Sequence, residues 1–180
     1  MKKIVQTQRV LTGMSRRIEV WRPLTNLTDE QVEAAKSFKE LNGIPMGLIE
    51  VDDKFIDFSD LVVNAGLNAL CGQAFDVSGS RPAVFNYVAI GVGTGSPAAG
   101  DTALGSESMR GVGTYAKDGN VGECSMDATF NIVATLALTE CGLLNAASVG
   151  TLYCRDTYSV KNVISGDTVK VYYTPKFQVP

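Results

Sequence analysis

Histidine is missing from all 180 residues. That removes the side chain that most often acts as a general base near neutral pH and most often ligates transition metals. Ser-His-Asp and Cys-His mechanisms are excluded, as are His-based zinc sites. Cysteine is scarce: Cys71, Cys124, Cys141 and Cys154 are spread so that no Cys-x-x-Cys pair exists. That spacing builds neither a zinc ribbon nor a thioredoxin-type motif. The four read as buried free thiols serving as small hydrophobes. The alternative is one or two disulfides formed in an oxidising medium. Aromatic residues make up 8% of the chain, with one tryptophan, Trp21. No apolar run approaches the ~18 residues of a membrane span. The opening Met1-Lys2-Lys3-Ile4-Val5 imitates a signal peptide, but Gln6, Thr7, Gln8 and Arg9 stand where its apolar segment belongs. Synthesis in a cytoplasm without an export signal is expected.

What is present points to a globular β protein. Hydrophobic residues make up 45%, charged residues 19%, and there are 18 glycines. The length suits one well-buried domain with an extension. Charge is split along the chain. Residues 1–26 hold Lys2, Lys3, Arg9, Arg16, Arg17 and Arg22 against Glu19 alone, a net of +5. Residues 27–60 carry a net of −6, and the remainder −2. A basic stretch of this kind suits an acidic protein surface, its own acidic neighbour or nucleic acid. Without aromatic interleaving beyond Trp21, single-strand stacking is disfavoured. An arm that meets another protein surface is the favoured reading.

Ile18 to Trp21 predicts a short strand stopped by Pro23. Thr28-Asp29-Glu30-Gln31 forms a capping-box pattern. Val32, Ala35, Phe38 and Leu41 follow on one face, and Gly43 and Pro45 end the run. The spacing predicts a helix over 29–41. A strand is expected at Gly47 to Val51, with a turn at Asp52-Asp53-Lys54. Asp52, Asp53 and Asp57 lack the Gly and Glu positions of an EF-hand loop, so no calcium site is expected. A second helix is predicted from Leu61 to Ala74, capped by Ser59 or Asp60 and packed on a sheet through Val62, Val63, Leu67 and Leu70.

From Ala83 the period becomes two. Strands are expected at Phe85 to Val92, Gly111 to Ala116, Val121 to Asp127, Ala128 to Leu138, Thr151 to Tyr158 and Thr168 to Phe177. Gly91-Val92-Gly93-Thr94-Gly95-Ser96-Pro97 has the glycines of a phosphate loop but no helix directly after them, so it reads as an exposed loop. A short helical turn is expected at Asp101 to Gly105. Thr139 to Ser148, running on through Arg155, reads as the end of one strand, a tight corner marked by Gly142 and Asn145, and the start of the next. Asp118-Gly119-Asn120 and Ser165-Gly166-Asp167 read as hairpin turns. Glu140 and Asp156 are the one carboxylate pair of catalytic interest, and capping a turn or pairing with an arginine such as Arg155 is the simpler role of such a carboxylate. Tyr87, Tyr115, Tyr153 and Trp21 are the aromatic candidates for a glycan site.

The succession Asn64-Ala65-Gly66-Leu67-Asn68, Tyr87 to Gly95, Asp101-Thr102-Ala103-Leu104, Met109-Arg110, Ala128-Thr129-Phe130, Thr139 to Ala146, Leu152 to Arg155 and Ser165 to Thr168 resembles a family of small structural proteins of tailed bacteriophages. The resemblance spans Leu61 to Phe177. It implies a mainly β chain: an antiparallel, jelly-roll-like β-sandwich over residues 59–180 with one packed helix. Residues 1–60 lie outside the resemblance, and from their charge and helix pattern residues 1–58 are expected to form an N-terminal docking arm carrying the second helix. The resemblance also implies a virion component made in the host cytoplasm, a decoration, cement or collar-type accessory protein. The partners would be capsid, head–tail or tail proteins and further copies of itself, with no membrane, nucleic acid, cofactor or catalysis. Arg9, Arg16, Arg17, Trp21, Arg22 and Phe38 are the expected docking residues. A tail or baseplate position and a host-glycan-binding module are the alternatives.

Overall fold

The computed structural model describes residues 11–23, 28, 40–41, 44–54, 61–117 and 119–178. In order, its elements are β1 (Leu11–Pro23), β2 (Glu40–Leu41), β3 (Ile44–Lys54), β4 (Leu61–Val62), α1 (Asn64–Phe75), β5 (Tyr87–Gly91), β6 (Glu107–Val112), β7 (Thr114–Lys117), β8 (Cys124–Asn131), β9 (Leu136–Leu144), β10 (Leu152–Val163) and β11 (Thr168–Gln178). They build two antiparallel sheets, ordered β2-β3-β1-β11-β8-β7 and β4-β10-β9-β5-β6. The chain is mainly β, with one helix among the described residues.

Alternation explains which side chains point inward. In β1, Arg16, Ile18 and Val20 are buried, while Arg17 and Trp21 between and beyond them keep some exposure. The register carries this face across the first sheet. Ile18 lies opposite Val171, which lies opposite Ala128, and Val20 opposite Val169, which lies opposite Phe130. Val88 and Ile90 of β5, Cys141 and Leu143 of β9 and Tyr153 and Tyr158 of β10 join these residues in one core, so both sheets share it. Ala89, Leu144 and Leu152 alternate with members of that core. They meet Val63 and Leu104 in a smaller cluster on the other face of the second sheet.

The helix begins without a side-chain cap at Val63. Backbone contacts hold its start instead: the Val63 amide donates to Tyr153 O at 2.9 Å and the Asn64 amide to Ala99 O at 2.9 Å. Gly66 lets the helix lie directly on β10, because a Cβ there would strike the Tyr153 carbonyl and Cα. In an open helix Gly→Ala adds about 1 kcal/mol of stability. Here overpacking of about 1–3 kcal/mol opposes that gain. Gly66→Ala is therefore expected to lower the urea midpoint, and a raised midpoint would mean that the helix does not rest on β10.

Several expectations are corrected. The division into an arm over 1–58 and a sandwich over 59–180 fails for residues 11–23 and 44–54, which are strands of the first sheet. β1 has a full apolar face to bury, and β11 supplies its partner from Leu11↔Gln178 to Trp21↔Thr168. Of the helix expected over 29–41, Glu40 and Leu41 are strand residues opposite Pro45 and Ile44; residues 29–39 lie outside the described residues. The proposed turn at Asp52-Asp53-Lys54 is strand, facing Ile18, Arg17 and Arg16. Leu61 and Val62 form β4 against Arg155 and Cys154, so the helix starts at Asn64; Ser59 and Asp60 lie outside the described residues. Asp101 to Gly105 is not helical. The expected 128–138 strand is broken after Asn131. The strand end, corner and new strand expected from Thr139 to Arg155 are present, but β9 runs on past Gly142 to Leu144, so the turn begins at Asn145 and β10 at Leu152. Ser165-Gly166-Asp167 joins β10 to β11 across the two sheets and is no hairpin.

Candidate functional site

Buried charge is concentrated between the sheets and under the Gly-rich loop. Arg16 occupies an inward position of β1, in phase with Ile18 and Val20, and is fully buried. Its guanidinium donates to Asp156 Oδ2 at 2.9 Å and lies 4.9 Å from the centre of the Tyr158 ring. The Thr157 amide donates to the other Asp156 oxygen at 2.8 Å. This pair ties the first sheet to the second.

At the far end of β1, Arg22 grips Asp167 with two bonds of 2.7 Å. Asp167 also accepts from the Ile164 amide at 2.9 Å, holding the corner between β10 and β11. The bond to Asp167 raises the Arg22 pKa above its ordinary value, so this guanidinium stays charged. On the outward face, Arg17 pairs with Glu19 at 2.7 Å, and the Trp21 indole donates to Glu19 at 2.9 Å. Arg17 lies in a polar cleft with Glu123, Tyr172 and Lys176.

The second cluster centres on Glu140. Its fully buried carboxylate accepts from the amides of Gly93 at 3.0 Å, Gly105 at 2.8 Å and Ser106 at 2.6 Å. Arg155 adds a bond of 3.0 Å to Glu140 Oε2, one of 2.7 Å to Asp101 and one of 2.9 Å to Gly95 O. The Gly-rich loop supplies one amide, Gly93, to an anion, and the segment before β6 supplies the other two, so that amides gather around it as in a phosphate loop. The anion is the chain's own carboxylate.

Asp101 closes the loop. It accepts from the Ala98 amide at 2.9 Å. That bond first, and Arg155 after it, hold its carboxyl below the ordinary aspartate value of 3.8. A lowered folded-state pKa gives stability that is present above the unfolded value and is lost as pH falls through the folded one. Acidification below pH 3.8 is therefore expected to release the 98–101 turn. Amide exchange at Ala98 measures it, and protection unchanged down to pH 2 would count against the Asp101 anchor.

A third feature is an apolar cavity of about 460 Å³ between the helix and the ends of β7, β8 and β11. Leu70, Phe85, Met126, Leu143, Tyr153 and Phe177 are among its walls. Val84 and Tyr115, 65% and 61% exposed, stand at its mouth. The Phe85 and Tyr153 rings are 4.9 Å apart.

No family model, curated protein or solved structure matches this chain.

The expected docking residues thus divide. Arg16 and Arg22 hold the sheets together, and Arg16 presents nothing to a partner. Trp21 is half-buried beside Glu19, and Arg17 keeps 36% of its side chain exposed. Arg9 and Phe38 lie outside the described residues. Among the glycan candidates, Tyr115 and Tyr153 share the cavity, while Tyr87 packs on the smaller core and Trp21 lies in the other sheet's β1. The Glu140–Arg155 pairing read from the sequence is present. Asp156 does not join Glu140 as a reacting pair, because Arg16 holds it on the inner side. Sequence reasoning missed the burial of Arg16. The signal was its phase, two residues before Ile18 and four before Val20.

Proposed function

We propose that this chain is a structural component of a tailed-phage virion, docking onto neighbouring capsid or head–tail proteins as a decoration, cement or collar-type accessory. The observation that carries this reading is how the buried charge is used. Glu140 receives three amides and an arginine, and Asp156, Asp167 and Arg16 are engaged in holding strands and corners. Groups bound this way fix shape, and the buried carboxylates among the described residues are taken up by such bonds rather than held ready for proton transfer. The order of sequence blocks that resembles phage structural proteins supports the same reading.

In this proposal the two sheets are the layers of a β-sandwich. Its jelly-roll-like character rests on nested pairing: β1 with β11 in one sheet, β4 with β10 in the other. Many symmetric copies on a particle make weak docking sufficient. Because β1 belongs to the sheet, removal of residues 1–10 is the deletion that tests an N-terminal docking segment, as a cut at residue 45 would take out a central strand. Electron cryo-microscopy of particles with and without this protein tests the function. Density lost at regular sites over the head means decoration, and density lost at the neck or tail means a connector or baseplate role. An unchanged particle overturns the structural reading and puts glycan binding first.

A further inference from the structure

We infer that the cavity under Val84 and Tyr115 is a binding site for a neutral lipophilic molecule with one hydrogen-bond acceptor, and that Tyr153 is the residue that recognises the acceptor. The inference does not depend on a virion role. Three observations carry it.

The first is size and lining. About 460 Å³ lies in the range of small-molecule sites, which are typically apolar with a few placed polar groups. The second is charge. None of the lining residues is Asp, Glu, Lys or Arg, so an ionic ligand would lose its hydration without compensation. One polar liner is already engaged through its side chain, Gln73 donating to Ala83 O at 2.6 Å, and the backbone carbonyl of Asn86 accepts from the Gly113 amide at 2.7 Å.

The third is Tyr153 itself. The residue is 97% removed from solvent, being 3% exposed, and its hydroxyl has no hydrogen-bond partner among the described residues. Burial pushes the phenol's pKa up, so it remains a protonated donor. Tyr153 lines the cavity beside Phe85, with its hydroxyl closed to solvent in this packing. A buried hydroxyl without a partner is costly, and phenylalanine would pack the same ring without that cost. A ligand acceptor that reaches the wall as the rings of Phe85 and Tyr153 adjust gives the hydroxyl a partner.

The test uses the full chain and two probes of similar shape. Benzophenone carries one carbonyl acceptor, and diphenylmethane carries none. Binding is followed by chemical-shift titration of the amides of Phe85, Met126 and Tyr153. The expected result is saturable binding at these amides, with benzophenone favoured about tenfold, as one hydrogen bond supplies. In Tyr153→Phe, which keeps the ring, that preference should vanish while diphenylmethane binding is retained. Val84→Trp alters an exposed residue at the mouth and should weaken both probes about equally. Equal affinity for the two probes in the unaltered chain, shifts that saturate elsewhere, or no saturable shift would each overturn the assignment.

Discussion

Glu140→Ala is expected to destabilise the folded chain by about 3–5 kcal/mol, the range for breaking a buried ion pair by removing one partner. Arg155, 4% exposed, would lose its buried counter-charge, and three amides would lose their acceptor. Urea unfolding reads the total. Native-state hydrogen exchange reads the location, because the amides of Gly93, Gly105 and Ser106 should lose protection ahead of those in β11. Glu140→Gln keeps the shape and one acceptor oxygen, so it should fall between the two. A loss under about 1 kcal/mol for the alanine variant, with the three amides still protected, would falsify the view that this carboxylate holds the loop.

Arg16→Met should cost a comparable 3–5 kcal/mol, for the complementary reason. Methionine is apolar like Ile18 and Met126 around it, but it removes the guanidinium that bonds the buried Asp156. The decisive comparison is Arg16→Met combined with Asp156→Leu. Replacing both members of a buried pair by apolar residues is often neutral, or stabilising by about 1–4 kcal/mol. The double variant should therefore recover most of the loss, giving a large coupling energy in a double-mutant cycle. If the two single losses simply add, the pair is not the inter-sheet tie described above, and the loss at Arg16 comes from packing on Tyr158.

The sequence makes the local pattern legible and leaves the long-range partners hidden. Alternation from Thr168 to Phe177 marks β11, and the run from Phe85 to Val92 encloses β5, because one buried face imposes a period of two. The Glu140–Arg155 pair was within reach because the two residues are near one another in the chain. The basic stretch was read as an arm because its acid partners lie far away. Asp156 is 140 positions from Arg16, and Asp167 is 145 from Arg22, so no charge count over a window can pair them. The corner between β9 and β10 lies at Asn145 and not at Gly142. That glycine breaks no strand. It sits within β9 where the Leu104 side chain and the Cys154 carbonyl take the room a Cβ would need. A glycine needed for close approach looks the same in a sequence as a glycine needed for a turn.

The place of β1 between β3 and β11 has a consequence during synthesis. β3 follows it soon after and can take one edge, but β11, the partner on its other edge, is made only after all the other described strands. Translation at roughly 5–20 residues per second means a wait on the order of ten to thirty seconds. Throughout that interval Ile18, Val20 and the charge of Arg16 have neither the β11 ladder nor Asp156 to receive them. Non-local pairing of this kind closes slowly, and a waiting apolar strand edge is a template for joining the wrong chain. A nascent chain in this state is a natural client for a holding chaperone. The same delay makes the last eleven-residue strand, more than any earlier segment, the point at which a truncated product would fail.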